Sequence, residues 1–384
     1  MVLALNIQSR RYKKRTYQSV ISVIKQSQSL EKLCEMQKIL LQMAQSSVTH
    51  AIMEVSSHAV DLYRIKACRF NVGVFTNLTQ DHLDYHKDMK AYWNCKKAFF
   101  TDYLSTDFNT EPAIAILNLN DSRGRELAAI LPYRCITVGH DSDAVIQPLE
   151  THQGPDGIQG RVITPSGPLT FASALTGGHN LENILCAVGV GVAYGLAPET
   201  ISKGIEELNR VPGRLEKIPD ADGRHIYVDY AHTPDALKNV LQALRAMSSR
   251  RILCVFGCGG DRDPDKRPQM GTVAAELCDL AIITSDNPRS ENPSAIIDQI
   301  LPGVALLQGC RYAAEDLKTG FDKKGFTIEP DRRHAIELAI RVSEPDDAVL
   351  IAGKGHETYQ ILADKTIDFD DRQEARRALV QLEA

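Results

Sequence analysis

No acidic residue precedes Glu31, and no glycine precedes Gly73. A glycine-rich phosphate cradle needs glycines at fixed spacing ahead of Gly-Lys-Ser/Thr, so the second absence excludes one from the early chain. No apolar run approaches the ~18 residues of a membrane span, and no signal-peptide pattern is present. The nine cysteines are odd in number and lack paired spacing. That excludes a disulfide framework or zinc ribbon and suits reduced thiols in a cytoplasmic protein. A net charge of −5 argues against a general nucleic-acid binder. At 384 residues, the chain has room for two or three domains and a large core.

The start differs from the rest. Arg10, Arg11, Lys13, Lys14, Arg15 and Lys25 make residues 1–29 a basic leader, expected to be poorly ordered. Such a composition also fits an organellar transit peptide, or a patch for nucleic acid or anionic lipid. From Leu30 to Ala44, the apolar spacing becomes helical.

Chemistry concentrates between Met53 and Lys97. Ala51–Val55 and Asn71–Thr76 are short apolar runs bounded by polar loops, the pattern of buried parallel strands. In open α/β sheets, ligands bind beyond the carboxyl ends of such strands. Glu54 and His82 fall there, and a carboxylate with an imidazole suits Mg²⁺ or Mn²⁺. Asp88–Phe100 reads as a helix on which Lys96 shares a face with Tyr92 and Trp93. Contact with aromatics removes water from an ammonium and lowers its pKa, and a neutral amine can take up CO₂ to become an anionic carbamate. Simple snorkelling along the helix is the alternative.

Met53-Glu54-Val55-Ser56-Ser57-His58, Thr76-Asn77-Leu78-Thr79-Gln80-Asp81-His82-Leu83-Asp84-Tyr85-His86 and the downstream lysine resemble the Mur ligases of peptidoglycan synthesis. The resemblance covers roughly residues 30–384. It implies an α/β fold: a truncated central ATPase-like domain over 30–210, then a Rossmann-like doubly wound domain over 211–384. It implies Glu54, His82 and carbamylated Lys96 as Mg²⁺ ligands. Ser56 and Arg64 match positions that hold the UDP-muramoyl substrate, although Leu62 stands where glutamine is common. Asn118, in Asn118-Leu119-Asn120-Asp121, matches an element near the adenine, and Asn180 and Asn183 match positions near the nucleotide. From the residues themselves, Asn180 and Asn183 read as N-cap residues. Three parts of the family pattern are missing from these 384 residues: the amino-terminal uridine-binding domain, the phosphate loop and the Asn-Thr-Thr substrate stretch expected before the helix at Leu30. The sole Gly-Lys dipeptide is Gly353-Lys354, with no glycine five positions before it.

Residues 140–175 alternate short strands with turns such as Gly154-Pro155-Asp156-Gly157. Val211-Pro212-Gly213-Arg214 reads as a hinge between domains. By resemblance, Arg214 reaches nucleotide phosphates; its plain alternative is a surface charge. Four later apolar runs, His225–Val228, Arg251–Phe256, Leu280–Thr284 and Ala348–Ala352, each open onto a loop of glycine or charged residues, as a doubly wound sheet requires.

An amino acid with two zwitterionic ends needs guanidinium forks for its carboxylates and acids for its ammonium groups. Arg262 and Arg289 supply forks, while Asp286 and Glu357 supply acids. By resemblance, Asp286-Asn287-Pro288-Arg289 marks the branch that adds meso-diaminopimelate, with Gly353 and Glu357 at the distal amino-acid centre. A surface ion-pair set of small energetic weight is the alternative. The resemblance implies ATP-driven joining of meso-diaminopimelate to UDP-N-acetylmuramoyl-L-alanyl-D-glutamate, with Mg²⁺. Lys96 and Arg214 would be the catalytic residues, and domain closure at the hinge would bring the reacting groups together. The missing phosphate loop leaves two expectations: a ligase completed by a separate amino-terminal polypeptide, or a remnant that binds diaminopimelate without turnover. A folate-polyglutamate type of ligase is disfavoured by Asp286-Asn287-Pro288-Arg289.

Overall fold

The computed structural model describes residues 2–6, 30–65, 68–79, 85–104, 112–154, 156–247, 250–305 and 309–383. The chain divides into two compact units. The first comprises residues 1–151, 159–172 and 179–205, and the second comprises 152–158, 173–178 and 206–384.

The first unit opens with β1 (Val2–Asn6), α1 (Leu30–Gln45), β2 (His50–Glu54), α2 (Ser57–Asp61) and β3 (Val72–Phe75). It continues with α3 (Met89–Ala98), β4 (Ile114–Asn118), α4 (Ser122–Ile130) and β5 (Cys135–Val138). Next in sequence, β6 (Gln147–Gly154), β7 (Gly157–Ile163) and β8 (Leu169–Ser173) form a three-stranded sheet where turn-rich sequence stood. Helices α5 (Gly178–Ala193) and α6 (Pro198–Glu206) follow.

The principal sheet has the order β2-β1-β3-β4-β5. Two sequence expectations need correction here. The basic composition places Val2–Asn6 in a poorly ordered leader, whereas in the structure they form β1, between β2 and β3 in this sheet. Residues 7–29 lie outside the described residues. The apolar runs read as parallel strands, but β2 pairs antiparallel with β1, which is also antiparallel to β3. β3, β4 and β5 are mutually parallel as expected. Because β1 opposes both neighbours, β2 and β3 point the same way, and the carboxyl ends of β2 to β5 share one edge.

The helix read from Asp88 is α3, capped by the Asp88 carboxylate accepting from the Ala91 N–H at 2.7 Å. It runs on as a π-helical turn, Phe99–Leu104. Gly73 lets that turn lie on β3: a Cβ there would sit 2.6 Å from Leu104 and 2.9 Å from Phe99. The stripe then closes an aromatic core in which Phe75 meets Trp93 edge-on at 5.7 Å and Phe70 meets Phe99 at 5.2 Å.

The second unit contains β9 (Glu216–Ile218), β10 (His225–Asp229), α7 (Pro234–Met247), β11 (Ile252–Phe256), α8 (Lys266–Leu277), β12 (Leu280–Ile283) and α9 (Pro293–Ala305). After these come β13 (Cys310–Arg311), β14 (Gly325–Ile328), α10 (Arg332–Val342) and β15 (Ala348–Ala352). A hairpin of β16 (Tyr359–Leu362) and β17 (Lys365–Asp368) leads to α11 (Asp371–Glu383). Seven strands form one sheet, β13-β14-β12-β11-β15-β10-β9, parallel except for β9.

Alternation along β11 shows why both faces are covered. Ile252, Cys254 and Phe256 join Leu237 and Leu241 of α7, Met270 of α8 and Ile300 of α9. Leu253 and Val255 join Ile336 and Ala339 of α10 and Leu379 of α11 on the other face. This is the doubly wound sheet read from the sequence, with the four named runs within one residue of β10, β11, β12 and β15.

Candidate active site

In the first unit, Glu54 ends β2 at the carboxyl edge of the sheet and is exposed. Ser56 caps α2, its Oγ accepting from the Ala59 N–H at 3.2 Å. Arg64 follows Tyr63, whose φ of 55° turns the backbone out of the helix. The Arg64 side chain is 4% exposed, and its Nη2 has no hydrogen-bond partner among the described residues. A buried guanidinium nitrogen left so keeps an unspent, charged donor.

Beside it, His86 Nε2 lies 2.8 Å from Ser57 Oγ, and the Tyr85 hydroxyl donates to Asp61 at 2.6 Å. Half-buried Lys96 carries its Nζ 5.1 Å from the Tyr92 ring, the expected shared face. Its neighbour Lys97 is held elsewhere, 3.1 Å from Glu126. Glu126 also accepts from Arg123 and Trp93, and the Arg123 hydrogen bond leads in lowering its pKa to about 2. Glu54 supplies the hard oxygen a divalent cation prefers. His82 lies outside the described residues. Among those described, no group of three or more His, Cys, Asp or Glu residues gathers to hold a metal.

The buried Asn118 amide is fully committed. Its Nδ2 donates to Thr76 O and to Glu182 Oε2, both at 2.8 Å, and its Oδ1 accepts from the Asn120 N–H at 3.1 Å. It thereby ties the ends of β3 and β4 to α5. Asn180 and Asn183 are not caps, since α5 starts at Gly178 and they fall in its first two turns. Asn183 Nδ2 donates to Asn180 Oδ1 at 3.2 Å.

In the second unit, the parallel strands bring four loops to one edge, and side chains join them. Gly353 N donates to Asp229 O at 3.0 Å, and Lys266 Nζ to His232 O at 3.0 Å. Arg289 Nη1 donates to Gly260 O at 2.7 Å. Asn287 Nδ2 donates to Glu357 Oε2 at 2.8 Å, and Lys354 Nζ bonds both Asn287 Oδ1 (3.1 Å) and Glu357 Oε2 (3.3 Å).

The side chains of the two predicted forks both reach Gly259. A Cβ at Gly259 would lie 2.9 Å from Arg289 Nη1 and 3.8 Å from Arg262 Cγ. Arg262 is exposed, bonded through Nη1 to Asp261 O at 3.0 Å. Arg289, after Pro288, holds a φ of 52°, a strained backbone that neighbours must enforce. Buried Asp286 accepts from the Asn287 N–H at 2.6 Å, and its Oδ2 would meet a Gly353 Cβ at 2.5 Å. With φ at 115°, Gly353 is glycine for two reasons: the backbone angle and the carboxylate beside it. Arg214 is exposed, its guanidinium 5.2 Å from the Tyr230 ring. Burial, then the Glu357 charge, pushes the Tyr230 hydroxyl up to about 12.

Sequence reasoning assigned no role to Lys354, Arg332, Tyr230 or Gln360. Gln360 Nε2 donates to Asp286 O at 2.6 Å. Arg332 is fully buried against Asp371 and donates to Ala352 O, one residue before Gly353. A lysine flanked by two glycines at a strand end was the one available signal for Lys354.

The Mur ligase middle domain matches residues 6–191, and the Mur ligase glutamate ligase domain matches residues 213–355. The chain is 46% identical over 348 residues to the UDP-N-acetylmuramoyl-L-alanyl-D-glutamate–2,6-diaminopimelate ligase of Geobacter metallireducens, covering 91% of this chain and 68% of that one. It is 45% identical to the enzyme of the same name from Gloeobacter violaceus, covering 90% and 66%. The chain thus spans about two-thirds of the length of these relatives. A solved structure of a ligase of that name superposes with a TM-score of 0.59 at 32% identity, covering 91% of this chain and 68% of that chain. A Mycobacterium tuberculosis folylpolyglutamate synthase, at 18% identity and TM-score 0.61 over 81% and 67%, shares the fold. With both domain matches and the strand-end loops in place, this chain belongs to the Mur ligase family.

Proposed function

We propose that the chain serves the ATP-dependent, C–N bond-forming addition of meso-diaminopimelate to UDP-N-acetylmuramoyl-L-alanyl-D-glutamate, in the cytoplasm. The observation that carries this reading is the linked loop edge of the second unit. There Arg262 and Arg289 flank Gly259, Asp286 sits beside Gly353, and Asn287 bonds Glu357. Guanidinium forks meet carboxylates and the acids meet an ammonium, which suits one amino-acid centre of a diamino diacid.

In the first unit, Arg64 and Ser56 would hold the anionic sugar-peptide, with Asn118, Asn180 and Asn183 near the nucleotide and Arg214 toward its phosphates. Glu54, His82 and carbamylated Lys96 are the residues that would hold Mg²⁺, which supplies charge neutralisation for phosphoryl transfer. The D-glutamate γ-carboxylate would take the γ-phosphoryl group of ATP, and the diaminopimelate amine would then displace phosphate. The second unit's task is to hold that amine and its carboxylates in register.

These 384 residues contain no Gly-Lys-Ser/Thr phosphate loop. We infer that these 384 residues bind diaminopimelate, and that turnover needs a phosphate loop supplied in addition to them. A phosphate-release assay with all three substrates tests the division of labour. The chain by itself is expected to release almost none, whereas turnover near the ~10 s⁻¹ typical of enzymes would overturn the inference. Replacing Arg289 by leucine tests the seat. Loss of a charge-assisted fork should weaken diaminopimelate binding by roughly 10- to 100-fold, and unchanged affinity would remove Arg289 from the site.

A further inference from the structure

Lys354 is a lysine with no solvent exposure, in a loop otherwise read for Gly353 and Glu357. Burying an ammonium is costly unless it is paired and hydrogen-bonded, so its partners indicate what it does. Nζ meets Asn287 Oδ1 at 3.1 Å and Glu357 Oε2 at 3.3 Å, while Asn287 Nδ2 meets the same Oε2 at 2.8 Å. The three side chains close a ring in which each bonds the other two. Nζ also lies 5.7 Å from the Tyr359 ring centroid, and the Ile361 N–H donates to Asn287 Oδ1 at 3.0 Å.

Both donors to Glu357 fall on Oε2. Oε1 receives no hydrogen bond among the described residues, although the side chain is only 11% exposed. A carboxylate pinned through one oxygen offers the other in a fixed direction. The charges point the same way. Asp286 Oδ2 lies against Gly353, and Glu357 is ion-paired with Lys354 at 3.3 Å. The fully buried Arg332–Asp371 pair behind them is neutral in itself. A ligand ammonium would find two carboxylates here beside the one Lys354 ammonium, with the Arg262 and Arg289 guanidiniums left for a ligand carboxylate.

We propose that Lys354 is a positioning residue that pins Glu357 and Asn287 so that the loop edge selects a ligand's α-ammonium group. The proposal rests on the diaminopimelate seat described above and deepens it. A compact ammonium suits the task because it can serve two acceptors in different planes at once.

Calorimetric titration of the full 384-residue chain with meso-diaminopimelate and with pimelate tests it. Pimelate keeps both terminal carboxylates and lacks both ammonium groups. The unsubstituted chain should prefer meso-diaminopimelate. Lys354→Met should weaken meso-diaminopimelate about 10- to 100-fold while changing pimelate by less than about threefold, so that the preference collapses. Equal losses for the two ligands would mean a merely structural lysine and overturn the proposal. Glu357→Gln supplies a second arm that does not depend on Lys354→Met folding. It should lose the same preference, and Lys354→Met added to it should cost little more; a Glu357→Gln chain with intact preference also overturns the proposal. Absence of heat from the unsubstituted chain at millimolar meso-diaminopimelate overturns the seat itself, an outcome distinct from both.

Discussion

The buried pair behind the second unit's loop edge offers a sharp stability test. Arg332 and Asp371 have no solvent exposure, and two parallel bonds join them: Nε to Oδ1 at 2.8 Å and Nη2 to Oδ2 at 2.7 Å. Burial tends to lower the Arg332 pKa, but the Asp371 charge and hydrogen bonds outweigh it, and the net direction is upward. Arg332→Met leaves Asp371 as a lone carboxylate with no water to solvate it. Breaking a buried pair from one side costs about 3–5 kcal/mol, which for a unit of this size lowers the melting temperature by roughly 6–20 °C. Removing both charges with Arg332→Met and Asp371→Leu should recover most of that loss, since no uncompensated charge is left. Calorimetric melting of the chain, the single variant and the double variant decides the matter. A single variant melting within about 2 °C of the parent, or a double variant worse than the single, would refute the reasoning.

Three further outcomes are expected. Gly353→Ala places a Cβ 2.5 Å from Asp286 Oδ2 at a φ of 115°, so it should destabilise by about 1–3 kcal/mol and weaken diaminopimelate binding together; parent values for both in melting and titration would contradict this. Hydrogen bonds from Arg123 and Arg267 hold Glu126 and Glu291 at about 2, below the usual 4.5. Their contribution to stability is therefore full above about 4.5 and lost as pH falls toward 2; melting temperature against pH should drop over that window, and less steeply in Glu126→Gln. Burial pushes the Cys186 and Cys258 thiols up to about 12, so a thiol reagent at pH 8 should reach them only after denaturation, and rapid labelling of either in the native chain would contradict the fold.

The second unit was legible because each of its strand-end loops announces itself: a short apolar run stops, and glycine or charge follows at once. That Arg262 and Arg289 both lie next to Gly259 could be expected from sheet topology, since parallel strands place those loops on one edge. Lys354 and Arg332 were not legible in the same way. Each is one cation among 44 in composition, and only folding shows that it is buried against named acids. In the first unit, the basic residues after Asn6 hid the strand Val2–Asn6 by making the whole start read as leader. Asn180 and Asn183 read as caps because asparagine favours that position, but Gly177, with a φ of 90°, turns the chain earlier and the helix begins at Gly178. The π-helical run to Leu104 depends on Gly73 across the core, a tertiary contact that helical periodicity does not encode.

The central claim is that the loop edge of the second unit seats a diamino diacid, and titration of the full chain with meso-diaminopimelate beside L-lysine tests it most directly. Lysine carries the same two ammonium groups but lacks the distal carboxylate that Arg262 and Arg289 would clasp, so it should bind at least roughly tenfold more weakly. Saturable heat with meso-diaminopimelate and that margin over lysine is the expected result; equal affinity for the two, or no heat with either at millimolar concentration, would contradict the account.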